Sequence, residues 1–120
     1  MSSDNELILI PKFKTYMKYI LKVLLRLPRT EKYSIGTEYK QSMYKTIEDI
    51  MMLSKIPKEE KLKYINRIDA RLNTQRVFLR IMQEERWIDD KKFEQSMLLL
   101  GEIGKILGGL LKFYGKNIKK

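Results

Sequence analysis

The sequence predicts an all-α fold: an antiparallel up-down-up-down four-helix bundle that self-associates. Three observations carry this expectation. Four segments repeat apolar residues three and four apart, the spacing of one helix face. The stretches between them are short and contain Pro or clustered polar residues, so neighbouring helices reverse direction. The last segment is apolar over an arc wider than a monomeric bundle needs, with a stripe of glycines beside it. Residues 1–120 read as a single domain, with a polar start at 1–6 and a basic tail at 116–120.

The first helix is expected from Lys12 to Leu27, with Pro11 at its first position, where a missing N–H costs nothing. Phe13, Tyr16, Met17, Ile20, Val23, Leu24 and Leu27 form one face. Lys14, Lys18, Lys22 and Arg26 recur every four residues and form a basic stripe on the other. Such a helix could lie on a membrane surface, but three comparable amphipathic segments follow and can bury its face.

Pro28 ends this helix, because the residue before a proline disfavours the helical region. After a connector, Ser34 or Thr37 is placed to cap a second helix running to about Ser54. Tyr39, Met43, Tyr44, Ile47, Ile50 and Met51 make its expected buried face. Met43, Met51 and Met52, with Met17 opposite, read as adaptable core.

Lys55-Ile-Pro57 breaks the pattern again. The third helix is expected from Pro57 to about Glu85, with Glu59 and Glu60 in the first turn, where the helix dipole favours acids. Tyr64, Ile65, Ile68, Leu72, Leu79 and Met82 are its core side. Lys63, Arg67 and Arg71 form a separate far-side stripe, which taken alone is an ordinary solvated face and taken with the net charge is equally a phosphate surface. Arg76 and Arg80 sit on the edge of the apolar face. A guanidinium there needs a carboxylate or a phosphate, and Asp69, two turns earlier, is one candidate.

Asp89 or Asp90 is placed to cap the fourth helix, which reaches about Gly115. Leu99, Leu100, Ile103, Ile106, Leu107, Leu110, Leu111 and Tyr114 fall in its apolar arc. Beside them lie Gly101, Gly104, Gly108 and Gly115, and beyond these a basic edge of Lys105, Lys112 and Lys116. An interior glycine costs a helix about 0.5–1 kcal/mol relative to Ala. The compensation expected here is close approach, with Gly101, Gly104 and Gly108 as close-packing or oligomer positions.

Composition narrows the function. There is no Cys and no His, which removes disulfides, thiolate ligands and the commonest general base. Glu48-Asp49, Glu59-Glu60, Glu84-Glu85 and Asp89-Asp90 are adjacent pairs, whose side chains diverge by about 100° on a helix and do not converge for catalysis. The glycines near the end follow no strand, so they make no nucleotide fingerprint. No catalytic residue, metal or cofactor is expected. No run is long and apolar enough to span a membrane, and the acidic start is unlike a signal peptide, so a bacterial-type cytoplasm is the expected location. Lys plus Arg is 25 against 15 Asp plus Glu, a net charge of +10. That balance favours a polyanionic partner, bound through phosphate by Lys14, Lys18, Lys22, Arg26, Arg76, Arg80 and Lys105.

Three segments then resemble one family. Leu27-Pro-Arg-Thr-Glu-Lys-Tyr-Ser-Ile-Gly36 is similar to the first connector of a bacterial four-helix-bundle family. That family includes proteins encoded in ribosomal RNA intervening sequences and the accessory variability determinant proteins of diversity-generating retroelements. Arg76-Val-Phe-Leu-Arg80 and Glu102-Ile-Gly-Lys-Ile-Leu-Gly-Gly-Leu-Leu111 resemble the third and fourth helices of the second branch. Leu110 stands where a Trp is common there. The resemblance implies a homopentameric barrel that binds a reverse transcriptase and RNA or DNA, supporting template-primed cDNA synthesis and mutagenic retrohoming. The alternative is a stand-alone basic bundle that binds structured RNA, as the intervening-sequence relatives imply.

Overall fold

Apolar spacing becomes helix nearly throughout the computed structural model, which describes residues 2–118, with side chains from Glu6 to Gly115. The elements are α1 (Ser2–Leu24), α2 (Arg29–Lys32), α3 (Ile35–Met52), α4 (Lys58–Glu84) and α5 (Asp90–Ile118). No strand occurs among the described residues. The four long helices form a bundle about a shared core. α1 packs on α3 and α5, and α4 packs on the same two, so α1 and α4 lie across the diagonal. Glu6 of α1, Leu53 just after α3, Lys61 of α4 and Tyr114 of α5 meet at one end. The molecule measures 49 × 22 × 22 Å.

Leu9, Phe13, Tyr16 and Ile20 of α1 are fully buried. So are Tyr39 and Met43 of α3, Ile65, Ile68, Leu72, Leu79 and Met82 of α4, and Leu100, Ile103 and Leu107 of α5. Full burial of one such side chain contributes about 1.5–3 kcal/mol, so this core dominates the stability. The spacing argument misplaces a few residues. Tyr44 and Met51 are exposed, as is Met52. Tyr64, Ile47, Leu99, Ile106 and Leu111 are only half-buried. In α3 the buried face instead takes in Thr46 and Asp49, whose polar atoms find partners on α4.

The first helix differs most from expectation. It begins at Ser2, takes in the polar start, and carries Pro11 in its interior. An interior proline removes one hydrogen bond and costs about 3 kcal/mol. Tertiary contacts on both sides of it outweigh this cost. Leu9 and Phe13 are fully buried, and Glu6 accepts a hydrogen bond from the Tyr114 hydroxyl and another at 2.9 Å from Lys61. Burial is the largest single influence on Lys61 and would lower its pKa, but the hydrogen bond and charge of Glu6, with Tyr114, together outweigh it and the net shift is upward. At the other terminus, α5 continues through Lys116 to Ile118, and Lys119 and Lys120 lie outside the described residues.

The helix ends also have local causes. Ser34 and Thr37 do not cap α3. Their hydroxyls turn back to the Thr30 and Lys32 carbonyls, at 3.1 and 3.3 Å. The short α2 folds tightly onto α3, and a Cβ at Gly36 would meet the Glu31 carbonyl oxygen at 3.2 Å. α4 ends on Arg86 at φ 62. The Trp87 N–H bonds the Met82 carbonyl at 2.8 Å and the Arg86 N–H bonds Gln83 at 3.0 Å, which is a Schellman closure. Asp89 caps α5, accepting the Lys92 N–H at 2.8 Å and its ammonium at 3.1 Å. These bonds, the backbone one first, hold the Asp89 carboxyl below its usual pKa.

Candidate nucleic-acid interface

Charge is unevenly spread along the chain. Between Leu7 and Thr30 there are six basic residues, Lys12, Lys14, Lys18, Lys22, Arg26 and Arg29, and no acid. Lys12 reaches Glu102 of α5 at 3.5 Å. Lys14, Lys18, Lys22 and Arg26 are exposed and make no ion pair among the described residues. The helical repeat sets them about 6 Å apart along the axis, a ladder of cations on the outer side of α1.

The far-side stripe of α4 is different. Arg67 donates both Nε and Nη2 to Asp49 at 3.0 Å. Arg71 donates to the same carboxylate and to the Lys45 carbonyl at 3.0 Å. Asp49 is nearly buried, and its hydrogen bonds are the leading cause of the raised Arg67 pKa. This pair of guanidiniums therefore clamps α4 to α3, so Arg67 and Arg71 are neither a merely solvated face nor a free phosphate surface. Arg67 also lies 4.6 Å over the Tyr64 ring.

Arg76 and Arg80 come together on the α5 side of α4. Arg76 Nη1 donates to Asn73 Oδ1 at 2.6 Å. Asp69 is not its partner in this chain; Asn73, one turn away, is closer along the helix. A Cβ on Gly104 would lie 2.9 Å from Arg76 Nη2. The close approach at Gly104 is therefore to an arginine of the same chain. Arg80 is exposed, with its guanidinium carbon 5.7 Å from the Phe93 ring centroid. Around Gly101 and Gly108 no atom lies within 4 Å of a would-be Cβ, so nothing in the bundle itself requires glycine there. Lys105 is exposed on α5, the helix that separates the α1 ladder from the Arg76–Arg80 pair. The structure does not gather all these cations into one patch.

Sequence reasoning missed the polar centre of the bundle. Gln75 is fully buried and joins three helices. Its Oε1 accepts from the Tyr16 hydroxyl at 2.7 Å. Its Nε2 donates to Ser42 and Thr46 at 2.9 and 3.2 Å. The Tyr16 and Tyr39 hydroxyls are 2.6 Å apart. Burial, and for Tyr16 the neighbouring Tyr39, raises both tyrosine pKa values well above 10. These are neutral hydrogen-bonding groups, sealed from any ligand. The available signal was a lone amide in the core series Ile68, Leu72, Gln75, Leu79, Met82.

Among the described residues no cluster of acids is arranged to hold a metal ion, and no helix is long and apolar enough to cross a membrane. A family model described as bAvd-like matches residues 7–114, which takes in most of all four long helices. No curated protein matches the chain.

Proposed function

The chain belongs to the bAvd-like family, and on that premise we propose that it is the non-catalytic accessory protein of a diversity-generating retroelement. In this reading it joins a reverse transcriptase to RNA or DNA in the cytoplasm and supports template-primed cDNA synthesis. The observation that carries the nucleic-acid half is the α1 ladder. Four exposed cations at helical spacing, with no acid nearby in sequence and no internal partner, suit phosphate contact. Arg76 and Arg80 form a second, smaller contact, with Lys105 between the two. The short connections and the meeting of Glu6, Leu53, Lys61 and Tyr114 at one end support up-down-up-down topology. Pentameric assembly rests on the family resemblance, and would repeat the ladder around an axis so that modest contacts add by avidity.

The test is affinity for the retroelement's own RNA as a function of salt. Each phosphate contact contributes about 0.9 to the slope of log affinity against log salt on duplex DNA and about 0.7 on single strands. Lys14→Gln, Lys18→Gln and Lys22→Gln should each lower that slope while leaving the assembled mass unchanged. Affinity independent of salt would remove the reading. Co-purification with the reverse transcriptase tests the partner, and a gene lying inside a ribosomal RNA locus would favour the structured-RNA alternative instead.

A further inference from the structure

Between α1 and α5 runs an open groove of about 740 Å³, lined by Tyr19 from α1 and by Lys91, Lys92, Glu94, Gln95 and Leu98 from α5. Its size falls within the range of sites that hold small organic groups. Two features make it unlike an ordinary helix seam. Leu98 is 58 % exposed on its wall although α5 has a full core face. The Tyr19 side chain is half-buried, with its hydroxyl engaged by nothing among the described residues. Lys22 and Arg26 follow Tyr19 by three and seven residues, which places both on the same side of α1. The groove thus joins an aromatic and aliphatic floor to the upper end of the cation ladder.

The geometry points to single-stranded nucleic acid as the ligand of this groove, with the backbone along Lys18, Lys22 and Arg26 and a base laid on Tyr19 against Leu98. This rests on the phosphate-binding reading above and sharpens it. A duplex keeps its base faces stacked inside and offers the protein phosphates and groove edges, so an apolar floor gains it nothing. A single strand has free base faces, and pairing an aromatic platform with a basic track is how proteins hold one without reading its sequence. On the α5 wall Lys92 is paired with Asp89, and Lys91 stands beside the acidic Glu94, so that wall carries no net charge and draws phosphate less than the unpaired cations of α1 do. That leaves the α1 side for the backbone and turns the base inward.

Fluorescence anisotropy with a labelled oligothymidylate and a labelled duplex of mixed sequence, at one salt concentration, tests the assignment. The unmodified protein should bind the single strand at least several-fold tighter than the duplex. Tyr19→Leu, which keeps an apolar side chain but no ring, should lose roughly tenfold on the single strand and little on the duplex, in keeping with the worth of one stacked base. Tyr19→Phe should bind as the unmodified protein does, since stacking needs the ring and not the hydroxyl. Circular dichroism and light scattering on each variant confirm an intact bundle. Equal binding of both probes, with Tyr19→Leu unchanged, overturns the groove and leaves the phosphate surface standing. Absence of binding to either probe overturns both. Displacement of the single strand by polyglutamate as readily as by unlabelled oligothymidylate assigns the groove to an acidic protein and overturns the base-stacking role.

Discussion

At the scale of single residues, the polar centre around Gln75 is the feature most open to test. Gln75, Tyr16, Tyr39 and Thr46 are fully buried and Ser42 partly so, so the bonds made among the buried groups avoid a large desolvation cost. Gln75→Leu leaves the Ser42 and Tyr16 hydroxyls short of a partner, and urea unfolding should show a loss of about 1–3 kcal/mol. The tyrosines add a pH dependence. Their folded pKa values lie above the unfolded value of 10.0, so the unfolded chain releases their protons first as pH rises. The stabilisation is full below about pH 10 and is lost as pH climbs through and beyond it. Lys61 shifts in the same direction, so its pairing with Glu6 is also lost on the alkaline side. The urea midpoint should fall above pH 10, and Tyr39→Phe, which keeps the Tyr16–Gln75 bond, should make that fall shallower. None of this was legible beforehand. A period-3.6 pattern identifies the core face but cannot tell which polar residue on it will find partners on other helices.

Among the helices, the sequence marked where elements lie better than how they end. Four amphipathic stretches were visible because apolar spacing survives any local irregularity. The boundaries of α1 were not, since Pro11 is a start signal in isolation and the burial of Leu9 and Phe13 overrides it. The expected consequence is that Pro11→Ala restores an intrahelical bond without disturbing the core. Thermal unfolding should show stabilisation of about 1–3 kcal/mol; an unchanged midpoint would mean that the helix has already relaxed around the ring. The Ser34 and Thr37 caps failed for a comparable reason. The carbonyls of the preceding turn lie nearer to their hydroxyls than the N–H groups of α3, because α2 folds back and Gly36 lets it approach. The role of Arg67 and Arg71 in the far-side stripe of α4 was not legible because their partner, Asp49, sits on another helix.

For the molecule as a whole, net charge was legible from composition but its distribution was not. α3 and α4 neutralise part of their charge through Asp49, whereas the outer face of α1 neutralises almost none. Assembly is the other whole-molecule question, and the open glycines supply a test. In an isolated bundle Gly108→Ala should gain about 0.8–1 kcal/mol of helix propensity. If a second copy covers that surface, the same methyl should lower the mass measured by light scattering. An unmodified protein with a mass near 14.4 kDa would refute self-association outright. The Gln75 cluster has a consequence here too. It acts as an index mark: sliding α4 by one turn against α1 and α3 would present Arg71 or Leu79 to the two tyrosine hydroxyls and Thr46. A greasy core tolerates such slippage, but this one has a single setting. Whatever force a partner exerts on the outside of the rod, its helices should tilt or separate before they ratchet, so the spacing of the cations on α1 relative to the rest of the molecule is fixed like the teeth of a gauge.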